Sequence, residues 1–356
     1  MLIKRIAFCA ASGKTDYLET FVYGKRVLFC LFLDFRCMKR LIIRLVPSDD
    51  RRRFRVSVGL TVLLAGLLTL WAIYGMEQYG IALFVLIPIL TGAIPAILYG
   101  IKGELTYGLA LRTGFIALAI YTLGLFVFAI EGMICIAMAA PIGIVLTWIG
   151  VTIGYAVSAK KPSKAAATVL ILVASVPITA FIEGEGSPRL NSVVTSVEIR
   201  ADAGLVWQNV VEFPVMKEPA EFLFKTGIAY PVDATIAGTG VGAVRHCNFT
   251  TGSFVEPVTV WDEPRLLKFD VRAQPAPMKE LSLWDVDAPH LHDYFISRQG
   301  QFRIIPLANG NVKLEGTTWY YHKISPAFYW QFWSEYIIHR IHERVLNHIK
   351  VNAEQQ

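Results

Sequence analysis

Residues 56–76 read VSVGLTVLLAGLLTLWAIYGM and contain no Asp, Glu, Lys, Arg or His. About 20 predominantly apolar residues are what a helix needs to cross ~30 Å of hydrocarbon. Four further runs of this kind follow, near 81–101, 109–130, 132–157 and 165–182. The first half of the chain therefore reads as a multi-pass α-helical membrane bundle of about five spans. With 54% hydrophobic residues in 356, the chain is too apolar to be one water-soluble domain.

The net charge of +6 is not spread evenly. Residues 1–55 hold 13 Lys and Arg against 5 Asp and Glu, whereas residues 183–356 hold 16 against 20. The basic charge thus belongs to the approach to the membrane, where it sets topology and meets anionic headgroups, and not to a nucleic-acid surface. Lys39, Arg40, Arg44, Arg51, Arg52, Arg53 and Arg55 precede the first span. Lys102 follows the second, and Lys160, Lys161 and Lys164 follow the fourth. The other two connections carry Glu77 and Glu131 and no basic residue. This alternation predicts a cytoplasmic N-terminus and, with an odd number of crossings, an extracytoplasmic C-terminal domain on a bacterial inner membrane. Residues 38–55 form the basic lead-in. Residues 1–37 read as a disordered upstream extension, with Met38 as the natural start.

Within the spans, ionisable groups are nearly absent, which argues for a packed anchor over a pump. Arg112 and Glu131 lie near span ends and read as residues that snorkel to the interface. Gly92, Ala93, Gly143 and Gly150 can let helices approach closely. Of the five cysteines, Cys247 alone falls in the soluble half, so the sequence offers no internal disulfide there.

Residues 183–191 are rich in Gly, Ser and Pro and read as a linker. Beyond it the pattern changes to alternation. Strands are expected near 193–200, 243–250, 253–262, 265–272, 295–306 and 311–322, with a helix through Val206 and Trp207 capped by Asp202. A long terminal helix runs from about Ser325 to Ala353, with Pro326 in its first turn. Trp330, Trp333, Ile337, Ile341, Val345 and Ile349 give it one apolar stripe, which must lie on the sheet.

The residues Val197-Glu198-Ile199, Gly240 to Arg245, Val260 to Leu266, Leu314 to Trp319 and Tyr329-Trp330 carry a resemblance over residues 192–352. In this order they resemble the START-like helix-grip superfamily, also called SRPBCC, which includes polyketide cyclases/dehydrases and lipid-transfer domains. The whole chain looks like a membrane-anchored bacterial branch of it. That resemblance implies an α+β helix-grip domain: a curved antiparallel sheet around a long C-terminal helix, with an apolar ligand cavity between them. The superfamily shares no catalytic signature.

The aromatic residues available to line such a cavity are Phe222, Phe224, Phe249, Phe254, Phe269, Phe302, Tyr320, Trp330 and Trp333. The expected partner is a membrane lipid or another hydrophobic small molecule, bound without catalysis, and no cofactor is indicated. Two alternatives stand beside this reading. One is a tethered cyclase/dehydrase using Arg245, His246 or His292 at the cavity rim; the other is an envelope scaffold with a filled core. The loop Asp285–Asp293 offers His290 and His292 with Asp287 and Asp293 as metal ligands or as polar contacts at the cavity mouth, set against an ordinary solvated loop, which is the preferred reading. His339, His342 and Glu343 share a face of the last helix and read as solvated. Gly238, Gly240 and Gly242 precede a strand pattern and read as turn glycines, not a nucleotide loop.

Overall fold

The computed structural model describes residues 41–160, 165–183, 188–281 and 288–356. The expectations for residues 1–37, for Met38 as the start, for the middle of the linker and for Asp287 lie outside these. Among the described residues, five helices are long and apolar enough to cross a membrane: α1 (Asp50–Gly75), α2 (Ala82–Gly100), α3 (Tyr107–Val127), α4 (Met133–Ala159) and α5 (Ala165–Glu183). The expected lead-in extends only to Asp49. That carboxylate accepts from the Arg52 backbone N–H at 2.9 Å and so starts α1 six residues before Val56.

Helix α2 is the centre of the bundle. A Cβ on Gly92 would lie 2.1 Å from the Thr147 carbonyl oxygen, and one on Gly150 2.1 Å from that of Ile89. Helices α2 and α4 therefore touch backbone to backbone, as small residues permit. Gly143, expected in the same role, has nothing within 4 Å of its Cβ position. Glu183, read as the start of the linker, folds back over the bundle. Its carboxylate accepts from the Ile81 and Ala82 N–H groups at 2.7 and 3.2 Å, satisfying donors at the start of α2.

The two ends of the bundle differ in chemistry. At one end Lys102 donates to the Val46 carbonyl at 2.5 Å, and the buried Arg53 donates to that of Ser48 at 2.8 Å and lies over the Tyr99 ring. At the other end are the connections holding Glu77 and Glu131, and there the C-terminal half docks. The Ser325 N–H donates to the Tyr79 carbonyl at 2.9 Å, and the Met133 N–H to that of Leu281 at 3.2 Å. Tyr294 donates its hydroxyl to the Glu77 carbonyl, and Tyr329 donates to that of Met138.

The C-terminal half is a seven-stranded antiparallel sheet in the order β1-β7-β6-β5-β4-β3-β2. Its strands are β1 (Asn191–Ile199), β2 (Pro231–Ala237), β3 (Val244–Phe249), β4 (Gly252–Asp262), β5 (Leu266–Asp270), β6 (Phe295–Pro306) and β7 (Val312–His322). Helices α6 (Ala203–Val211) and α7 (Phe222–Lys225) follow β1, and α8 (Ala327–Gln355) closes the chain. Asp202 caps α6, accepting from the Gly204 N–H at 2.7 Å. Strand β2 was not expected from the sequence. It is a short edge strand that begins on proline, where a missing donor costs no ladder bond.

The stripe of α8 serves two purposes along its length. Its C-terminal part, Val345, Leu346, Ile349 and Ala353, packs with Ile199, Trp207, Val258, Leu267 and Leu314 into the main hydrophobic core of this half. Its N-terminal part does something else: Trp330 is buried with Phe224 and Ile228 against Ile134 and Met138 of α4, and Trp333, Ile337 and Ile341 pack on this cluster. The terminal helix thus packs on the sheet at one end and on the helical bundle at the other.

Candidate ligand cavity

Between the core of the C-terminal half and the bundle lies a cavity of about 540 Å³. Its walls come from both halves: Thr69, Ile73, Leu83, Phe115, Leu118, Ile136 and Gly143 from α1 to α4, and residues of β3 to β7 and α8 from the domain. Six of the nine aromatics expected from sequence line it: Phe249, Phe254, Phe269, Phe302, Trp330 and Trp333. The other three do not. Phe222 is 81% exposed, Phe224 is buried in the cluster against α4, and Tyr320 packs with Val193 and Ile338. Residue type alone does not say which way a side chain points, and α7, too short to show a period, gave no face to read.

The polar groups in this apolar wall are few and specific. Arg245 is 1% exposed and paired with Glu256, which lies opposite it on β4. Its guanidinium also donates to the Val211 carbonyl at 3.2 Å and lies within 5.7 Å of the Phe213, Phe269 and Phe302 ring centroids. Burial pushes the Glu256 carboxyl up, and Arg245 opposes that shift. Arg245 Nη2, Trp330 Nε1 and Trp333 Nε1 have no hydrogen-bond partner among the described residues. All three atoms are buried in the wall itself and do not open onto the space.

His342 corrects the solvated-face reading of α8. It lines the cavity, with Nδ1 3.0 Å from the Thr195 hydroxyl and Nε2 2.8 Å from that of Thr318. Burial, aided by neighbouring His339, pushes its pKa down to about 4, so it is neutral at pH 7. His339 also meets Thr195, at 2.8 Å, while Glu343 pairs with Arg340 on the outer side. His246 and His292, proposed with Arg245 for a rim, are not among the lining residues.

One wall of the cavity, at the junction of the two halves, is unlike the rest. Glu131, Cys135 and His290 meet there with ligand atoms all within 4.8 Å of one another. Cys135 Sγ is 3.0 Å from His290 Nε2 and 2.6 Å from Glu280 Oε1; His290 Nδ1 is 3.5 Å from Glu131 Oε2. Glu131, Glu280 and His290 are each 7–8% exposed. The snorkelling expectation for Glu131 thus fails: it faces inward, and burial raises its pKa against the opposing influence of His290. Burial and Glu131 also raise that of Tyr79, whose ring centroid is 5.0 Å from that of His290. His290 turns to the bundle and away from a site with His292, which is exposed.

Comparison with known proteins adds little beyond shape. No family model matches the chain, and no curated protein matches it. Among solved structures, norcoclaurine synthase from Thalictrum flavum is similar at 14% identity, covering 47% of this chain and 94% of that one, with a TM-score of 0.31. The Zhui aromatase/cyclase from Streptomyces sp. R1128 is similar at 16%, covering 47% and 95%, with a TM-score of 0.30. XoxI from Bacillus cereus matches at 15%, covering 46% and 94%, with a TM-score of 0.29. Likeness at this level says nothing of ligand or activity.

Proposed function

We propose that this protein is a multi-pass membrane protein that binds a hydrophobic, lipid-like ligand in the cavity its bundle and helix-grip domain share, and that it does so without catalysis. The observation that carries this reading is the continuous apolar wall running from α1, α3 and α4 into the sheet and α8. A volume of about 540 Å³ falls in the range of small-molecule pockets. A ligand leaving bilayer for cavity exchanges one apolar surrounding for another and so gains little from water exclusion. Its affinity comes from fit to the apolar wall.

The domain belongs outside the cytoplasm of a bacterial inner membrane in this reading. Arg51, Arg52, Arg55 and Lys102 gather at the bundle end away from the domain, as positive charge does on the cytoplasmic side. A reporter fused after Gln356 and active only outside the cytoplasm is expected to give signal; silence reverses the orientation.

Binding is tested on the full chain. Purified in detergent, it is expected to release a stoichiometric hydrophobic compound on solvent extraction, identified by mass spectrometry. Gly143→Leu places a side chain in open space on the cavity wall. The variant is expected to fold normally and to lose that compound. A wild-type protein that carries none, or a Gly143→Leu variant that carries the same amount, refutes the proposal.

A further inference from the structure

We infer that Cys135, His290 and Glu280 form a zinc site, with Glu131 holding the His290 ring. Soft thiolate, imidazole and carboxylate together suit Zn²⁺. Cys135 Sγ, His290 Nε2 and Glu280 Oε1 lie 2.6 to 3.6 Å from one another. Donors at zinc bonding distance in a tetrahedron are about 3.3–3.8 Å apart, so an ion would spread this triangle by less than about 1 Å. With Nε2 on the metal, Nδ1 carries the proton and faces Glu131 Oε2 at 3.5 Å, not hydrogen-bonded to it here but placed for the carboxylate–histidine support that metal-bound imidazoles commonly have.

The second line of argument is charge and unmet bonding. Two carboxylates and a thiol are brought together in a dry junction, and among the described residues neither carboxylate has a Lys or Arg partner. Glu131 Oε1, Glu280 Oε2 and His290 Nδ1 are buried without hydrogen-bond partners there. Anions buried without compensation cost several kcal/mol each, by order of magnitude. A divalent cation removes that cost. The backbone is shaped for the approach: a Cβ on Gly132 would lie 1.8 Å from Glu280 Oε2, so glycine is what lets this carboxylate reach the thiol. A cysteine–histidine nucleophile with Glu131 as orienting acid fits less well, because Glu280 stands against the sulfur and opposes thiolate formation.

Two of the four residues come from the bundle side and two from the domain, so the ion would clamp the halves together. Cys135 and His290 line the cavity, so an oxygen of a bound ligand could reach such an ion; that step alone rests on the function proposed above, and the metal content does not. The test is elemental analysis of the full chain purified without chelator, with about one zinc per chain expected. After stripping, Co²⁺ should restore a near-ultraviolet thiolate-to-cobalt band that Cys135→Ser abolishes. Cys135→Ser and His290→Ala should lower zinc content at least tenfold, His246→Ala should not, and Glu131→Gln should weaken Zn²⁺ affinity about 10–100-fold. Should the variants misfold, the stripped wild type decides: Zn²⁺ is expected to raise its thermal midpoint. A wild type that neither retains nor takes up zinc or cobalt, or equal metal content in folded Cys135→Ser, overturns the assignment.

Discussion

Replacing His342 by glutamine should make the protein less sensitive to mild acid, and the size of the effect follows from the cavity wall. The folded imidazole titrates at about 4 because burial disfavours its charged form. In the unfolded chain its pKa is about 6.5. A depressed folded value means that this histidine's contribution is whole above the unfolded value and lost as pH falls toward the folded one. Linkage gives about 2 kcal/mol lost by pH 5 and about 3 kcal/mol once the pH is below both values. For a domain of this size that is about 4–8 °C in thermal midpoint at pH 5 relative to neutral pH. The partly buried side chain faces the cavity and not bulk water, so solvent screening does not erase the effect. His322 and His348 are also depressed by burial and contribute in the same direction, which is why the difference between wild type and variant is the quantity to measure. The assay is tryptophan-fluorescence melting of both proteins in detergent between pH 7.5 and 4.5. The substitution His342→Gln keeps an amide within reach of Thr195 and Thr318, and that amide cannot titrate. Parallel loss of stability in the two proteins would show that His342 is not held neutral by its surroundings.

Three further outcomes are expected. Glu256→Ala leaves Arg245 charged in the core and should cost about 3–5 kcal/mol in denaturation experiments, whereas Arg245→Met with Glu256→Leu should cost far less; equal losses would count against a buried ion pair. Arg245→Met alone should be milder than Glu256→Ala, and milder still at low pH, because a buried carboxylate can take up a proton and a guanidinium cannot release one. Gly150→Leu should separate α2 from α4 and abolish folded protein in size-exclusion chromatography, while Gly143→Leu, two turns earlier on the same helix where nothing lies within 4 Å, should leave the elution profile unchanged.

What the sequence discloses and what it hides divide along physical lines. A bilayer-length apolar run is a one-dimensional signal, and each of the five helices was legible within a few residues. Alternation likewise marked β5, where Leu267 and Phe269 face inward between Lys268 and Asp270, but it failed for the half-buried edge strand β2. Six cavity aromatics were legible because they sit inward on alternating strands or on the α8 stripe. Cys135 and His290 were not connected, being 155 positions apart and joined only by the docking of the two halves. One local trace existed: Glu131 and Cys135 stand four apart at the head of an otherwise apolar span, a polar pair with no reason to be there if the helix only anchors. The misreading of His342 has a similar origin, since a histidine on a mixed helix face looks the same whether water or a sheet lies beyond it.

The docking of α8 on α4 makes the helical bundle something other than a leash. Tyr329, Trp330 and the walls contributed by α1, α3 and α4 mean that a fragment starting at Pro188 would be missing the floor of its own container. Under the function proposed above, a ligand entering through that floor would pass between leaflet and interior without ever being wetted, so its exchange should depend on the composition of the bilayer more than on any aqueous concentration.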